Sequence, residues 1–375
     1  MGNSRRDFLK KTGLAASGVI IGSAANISKS EEDVKKEIVA IKRIWPLGFQ
    51  WETQDPFLFC VHHEDLYPEG NNHQGPKAPL EGRQLGQDFI IKDGWRMYHG
   101  KKVPGFPGHP HRGFETITVV RDGYVDHSDS QGGQARYGHG DVQWMTAGKG
   151  LQHAEMFPLV NKESGNRMEL FQIWLNLPKK NKMVSPYFKM NWSEDIPVLK
   201  KKDAENRAIH IEVLAGSLDD SSAPSANPDS WASEADNHVA IYALKLDPGA
   251  EYTLPKSVEG VNRSLYFFEG KTLTVEDQEV ASYHGVDVDP TVDLKLKNGE
   301  TAGQILVLQG KPLNEPVVQH GPFVMNTREE IQEAFLDYQK TGFGGWPWES
   351  SDPVHGAEAK RFARHPDGRE EIKEG

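Results

Sequence analysis

The chain of 375 residues has a single cysteine, Cys60. One thiol excludes an internal disulfide framework and a cysteine-based zinc cage. There is no long uninterrupted apolar run, which excludes a polytopic membrane protein. Positive charge is in deficit. Lys and Arg number 43 against 54 Asp and Glu, for a formal charge of −11. That balance argues against non-specific nucleic-acid binding, and no nucleic-acid motif is present. Gly-x-Ser-x-Gly, His-Glu-x-x-His, Gly-x-x-x-x-Gly-Lys and Gly-x-Gly-x-x-Gly are also missing, so the common hydrolase, zinc-peptidase and nucleotide motifs are excluded. What is present is enough apolar material for a core, 37% of residues, with 37 Gly and 23 Pro. That composition favours a turn-rich β architecture, and the length suggests two domains.

Residues 1–30 read as a twin-arginine export signal. Arg5-Arg6 precedes Phe8-Leu9-Lys10, and a Gly/Ala/Ser-rich apolar stretch, 14–27, follows. It is too short to span a bilayer, and Ser23-Ala24-Ala25 offers small residues for cleavage. The expected location is the periplasm, with no stable membrane association after cleavage. This route carries folded proteins, often with a cofactor loaded, and so points weakly to a bound metal. A charged linker spans 28–37.

The body divides into two β-rich halves, 44–178 and 205–342, followed by a tail, 343–375, expected to be irregular. A first short strand is expected at 38–41. Further β-like runs in the first half lie at 57–61, 116–120, 142–145 and 171–175. Asp122-Gly123 between two such runs is a hairpin signal. Residues 179–202 are polar and Pro-punctuated, as in a linker. A second set of runs follows at 209–214, 239–246, 264–268, 272–275 and 305–308. Thr327-x-x-Glu330 is a capping box. Ile331, Phe335 and Tyr338 recur at helical spacing before the stop at Gly342, which predicts one short C-terminal helix.

Metal-ligating chemistry concentrates in the first half. His109-Pro110-His111 and His153-Ala154-Glu155 each place two ligand types at i and i+2, hence on one face of a strand. Two such pairs on neighbouring strands bring three imidazoles and one carboxylate together. That set suits iron, copper, nickel, manganese or zinc. Parity also places Glu115, four residues after His111, on the ligand face, as a fifth ligand, a hydrogen-bond acceptor behind the ligands or a charge at the barrel mouth; the second is preferred because four ligands already suffice. With a regular two-residue hairpin at Asp122-Gly123, His127 faces away and serves surface or packing. His62, His63 and His99 lie in a segment of poor β regularity and read as ordinary histidines. Phe114 and Trp144 are candidate pocket walls, but ordinary core packing is the preferred reading of both.

The segments 109–116 (His-Pro-His-Arg-Gly-Phe-Glu-Thr), 140–148 (Gly-Asp-Val-Gln-Trp-Met-Thr-Ala-Gly) and 153–156 (His-Ala-Glu-Met) resemble the signature of the pirin family within the cupin superfamily. The stretch 321–331 is similar to pirin C-terminal segments, and the resemblance covers about 44–342. It implies an all-β bicupin: two antiparallel cupin barrels with a short C-terminal helix. It also implies a metal held by His109, His111, His153 and Glu155 in the first barrel. Iron is the first candidate, with copper, nickel, manganese, cobalt or zinc as others. The second half has no His-x-His at 249–256, and His210, His238, His284 and His320 are isolated, so a metal-free structural copy is expected there. The polar stretch 66–103 is longer than in compact pirins and directly precedes the ligand strand, where it is positioned to line the site mouth.

By the same resemblance the expected activity is that of a quercetin 2,3-dioxygenase, with Glu155 as ligand and as base for a flavonol hydroxyl. The partners are then a small aromatic substrate and dioxygen, and the expected state is a monomer. Two other functions stay open: a non-catalytic metal or redox sensor that binds a protein, and a cupin with isomerase or hydrolase chemistry.

Overall fold

A computed structural model describes residues 39–373. The segments expected as export signal and charged linker lie outside the described residues. The strands form two antiparallel barrels, the all-β fold expected.

In the first barrel one six-stranded sheet runs in the order Tyr187–Asn191, Val142–Thr146, Phe114–Asp122, Asn166–Asn176, Phe57–Tyr67, Gln50–Trp51. Facing it is a second six-stranded sheet, ordered Glu370–Lys373, Arg361–Arg364, Gln134–Gly138, Tyr124–Asp129, Leu151–Met156, Gly105–His111. The second barrel is built from a seven-stranded and a four-stranded sheet. Its own interior is apolar and includes Ile211, Leu265, Phe267, Leu296 and Val307.

The two barrels share a core. Ile117, Val119, Phe171 and Ile173 from the first pack with Ile241, Tyr266, Leu306 and Leu308 from the second. Trp51 stacks on Tyr266, rings 5.3 Å apart. The sheet between the barrels is therefore covered on both faces. Phe114–Asp122 consequently has seven consecutive buried residues, with Ile117 and Val119 toward the second barrel and Thr118 toward Glu155 in the first. The helix forms as predicted over Arg328–Thr341. Thr327 and Glu330 close the capping box, and Gly342 ends it at φ 55°. Ile331 and Ala334 pack on Phe323 and Met325.

Four expectations fail. Asp122-Gly123 is not a hairpin: Phe114–Asp122 pairs with Val142–Thr146 and Asn166–Asn176, whereas Tyr124–Asp129 pairs with strands of the opposite sheet. Gly123 (φ 77°) is the corner where the chain changes sheets, and a Cβ there would meet the Arg167 carbonyl at 2.8 Å. The segment 179–202 is no free linker. Tyr187–Asn191 joins the first barrel, Val198–Lys202 joins the second, and Lys182 is buried with its ammonium bonded to the Gly113 and Val324 carbonyls and to Asn176. The tail is ordered, because Arg361–Arg364 adds to Gln134–Gly138 and pairs with Glu370–Lys373. The first described strand is Ile41–Pro46, and it belongs to the second barrel, paired with His284–Val288.

Candidate metal centre

Gly105–His111 and Leu151–Met156 are neighbouring strands, and His109 stands directly opposite His153. A register shift between Phe106 and His109 leaves the last three residues regular, so His109 and His111 share a face. The result is the convergence that the i, i+2 spacing predicts. Candidate ligand atoms of His109, His111 and His153 all lie within 4.8 Å of one another. Their ring centroids are 4.5, 4.7 and 4.9 Å apart.

The three imidazoles are neutral. Burial pushes His109 down to about 4, against a hydrogen bond to the Pro107 carbonyl. Burial, and then the neighbouring histidines, hold His111 and His153 well below the usual value. His109 Nδ1 donates to the Pro107 carbonyl at 3.0 Å, which leaves its Nε2 lone pair free. His111 Nδ1 and both ring nitrogens of His153 are buried without a hydrogen-bond partner. Buried polar atoms in native folds are nearly always bonded, so such a cluster needs an explanation. Three neutral imidazoles with free lone pairs fit a transition-metal ion.

Glu155 lies at the edge of the triad, its Oε2 3.7 Å from His153 Nε2. It accepts hydrogen bonds from Gln172 Nε2 (2.6 Å) and Thr118 Oγ1 (3.2 Å). Burial raises its pKa, and the Gln172 bond, His127 and Thr118 oppose the rise. Gln172 and Thr118 come from the opposite sheet, so they escape any reading of the ligand strands alone. The available signal is one of parity: Gln172 is a polar residue between Phe171 and Ile173 in a strand otherwise apolar at its centre.

His127 and Glu115 exchange the places expected for them. His127 is paired with Glu155 and Asp129 with His153, so both side chains point to the triad's side of the sheet. The His127 and His153 rings are 5.6 Å apart, and His127 Nε2 lies 3.2 Å from Asp129 Oδ2. The parity argument for His127 fails because it assumed the hairpin at Gly123. Glu115 is fully buried but points away, into the junction between barrels, where it accepts from Thr146 (2.7 Å) and Ser230. Its parity with His111 is broken at Arg112-Gly113, where Gly113 (φ 88°) turns the chain from one sheet to the other. Burial, against the Ser230 and Thr146 bonds, raises Glu115 to about 7.

His62 and His63 lie in an eleven-residue strand rather than an irregular segment. His62 stacks on Phe171, and His63 Nδ1 bonds Tyr98 OH at 2.8 Å. His99 Nδ1 bonds the Gly86 carbonyl. Phe114 packs behind His111 and stacks on Trp174, while Trp144 lies in the core shared by the barrels.

His109, His111, Glu155 and Gln172 line the floor of a cavity of about 620 Å³, with His153 buried beside them. Phe106, Pro107 and Trp174 supply apolar wall. His99 and Lys101 come from the polar stretch 66–103, and Ser351 and Asp352 come from the tail. The size and mixed lining suit a small organic ligand.

Residues 69–175 match the Pirin family, and residues 241–344 match the Pirin C-terminal cupin domain. The chain belongs to the pirin family. Among its relatives, the Pseudomonas aeruginosa protein named "Putative quercetin 2,3-dioxygenase" is 39% identical over 240 residues, 63% of this chain and 79% of the relative. Human pirin is 34% identical over 262 residues, 68% and 83% of the two chains. A quercetin 2,3-dioxygenase from Acinetobacter baumannii has a similar crystal structure, with a TM-score of 0.64 and 27% identity over 82% of this chain and 98% of that one. In pirin terms, the histidine triad lies in the N-terminal domain.

Proposed function

We propose that this pirin is a metal-dependent dioxygenase of the quercetin 2,3-dioxygenase type, acting on a flavonol-like or other enolisable aromatic. The metal is held by His109, His111, His153 and Glu155, and iron is the first choice. One observation carries the reading: three neutral imidazoles converge beside a buried carboxylate at a ligand-sized cavity, and His111 and His153 hold buried, unbonded ring nitrogens. A bound divalent metal would supply Lewis acidity toward an acidic hydroxyl and a redox centre for dioxygen.

The chain's own residues do the rest. Phe106 and Trp174 bind an aromatic body and exclude water. Glu155 Oε2 receives the hydroxyl proton, and Gln172 and Thr118 hold the carboxylate in place to do so. The expected state is a monomer. The Arg5-Arg6 leader would place the enzyme in the periplasm, and cell fractionation of an Arg5→Lys/Arg6→Lys variant tests that, because export should fail.

Oxygen uptake by the iron-loaded protein with quercetin, beside His109→Ala, tests the activity. Uptake in the wild type alone is expected. No uptake with metal bound would overturn the reading in favour of a metal or redox sensor.

A further inference from the structure

Six arginines are buried among the described residues: Arg83, Arg96, Arg112, Arg136, Arg263 and Arg361. Five hold a carboxylate at 3.0 Å or closer, on Asp88, Asp65, Asp337, Asp126 and Asp141 respectively. The exception is Arg263. It is only 3% exposed, and no described carboxylate lies within 4.0 Å of its nitrogens. Its partners are neutral: Nε donates to Gln309 Oε1 at 2.7 Å and Nη1 to the Pro255 carbonyl at 2.8 Å. A guanidinium has five N–H donors, so most of its capacity is unspent. Burial pushes its pKa below the usual arginine value, against Tyr242, Tyr252 and Asp293. A buried charge without a close counter-charge is costly, and the described residues supply none nearer than the more distant Asp293.

Arg263 shares a strand face with Leu265 and Phe267, which fill the interior of the second barrel. It therefore points inward. A cavity of about 830 Å³ opens over it, walled by Leu218, Ala240 and Tyr242 and rimmed by Ser222 and Lys256.

We propose that Arg263 anchors a second ligand site, in the mouth of the C-terminal barrel, that takes a small organic monocarboxylate. A carboxylate matches the planar fork of the guanidinium and balances its single buried charge. The apolar walls accept an organic body. Phosphate or sulfate would bring a second negative charge, for which the cavity offers only the exposed Lys256 at the rim and the imidazole of His238. Lining acids do not already fill this role: Asp219 is paired with Lys201, and Glu234 lies 3.6 Å from Lys180. The site is independent of the metal reading.

The test is calorimetric titration of the whole protein with benzoate and with inorganic phosphate. The variants are Arg263→Gln, Ser222→Trp, which fills the rim from an exposed position, and His153→Ala. Benzoate should bind the wild type more tightly than phosphate does. Affinity should fall at least about tenfold in Arg263→Gln and in Ser222→Trp, and it should persist in His153→Ala. Circular dichroism reports folding, and if Arg263→Gln does not fold, Ser222→Trp decides alone. Absence of benzoate binding, tighter binding of phosphate, unchanged affinity in the folded variants, or loss in His153→Ala would each overturn the proposal.

Discussion

His153 carries both of its ring nitrogens buried and unbonded beside two other imidazoles, and a metal ion would give that cluster its partner. Its position could be read directly from the sequence, because i, i+2 parity within one strand needs no knowledge of neighbours. Gln172 and His127 could not be read that way. Their roles depend on which strands lie opposite them, and that is decided by pairing across the barrel. Gln172 is a positioning residue for Glu155, with a 2.6 Å bond to its carboxylate. Gln172→Leu should therefore leave metal content intact but lower turnover by about tenfold or more, mainly in kcat. Steady-state kinetics beside elemental analysis checks this, and an unchanged kcat would contradict the role.

At the level of elements, the strands and the capped helix were largely foreseeable, but their connections were not. Asp-Gly is a hairpin signal because both residues accept positive φ. A corner between two sheets needs the same conformation, so Gly123 satisfies either arrangement. Tail order was hidden for a related reason. Its strands are short and charged, and they are held by partners far away in sequence. Trp348 Nε1 donates to the Asp129 carbonyl at 2.8 Å, and His355 Nε2 lies 2.7 Å from the His127 carbonyl. Arg136 donates to the Gly356 carbonyl, and Arg361 pairs with Asp141. The tail thus clamps the strand behind the triad. Truncation after Gly345 should lower Tm by roughly 5 °C or more and speed metal loss to a chelator. Equal release rates with and without the tail would show that the clamp does not act on the centre.

Across the whole molecule, buried titratable groups set opposing pH dependences. Burial pushes His109 down to about 4 and His63 to about 3, and it holds His111 and His153 lower than usual as well. As pH falls below about 6.5, the unfolded chain binds protons that the folded histidines refuse, so stability is lost toward acid. Glu115, between the barrels, has the opposite sign. Its folded pKa of about 7 lies above the usual 4.5, so its contribution is full below 4.5 and is lost as pH rises through 7. Asp65, Asp141 and Glu155 are raised by burial and share the sign of Glu115, while His355 is lowered and joins the other histidines. The histidines charge across the window from 6.5 down to 4 and set the balance there. The metal-free protein should therefore melt at progressively lower temperature from pH 6.5 down to 4. Glu115→Gln should gain on the wild type as pH rises from 4.5 to 7. Melting curves across that range check both signs, and a flat profile would refute the histidine assignment. The two-barrel plan was legible through the family resemblance. The shared core was not: Thr116-Ile117-Thr118-Val119 alternates as a strand with one solvated face would, so its polar set does not reveal that both faces are buried.

The central claim is that the triad holds a metal. Elemental analysis of the purified protein beside His153→Ala tests it most directly. About one divalent transition-metal ion per wild-type chain, and loss of that ion in the variant with the fold intact by circular dichroism, is the result the account predicts. Equal occupancy in both proteins, or a wild type that takes up no metal when loaded, would contradict it.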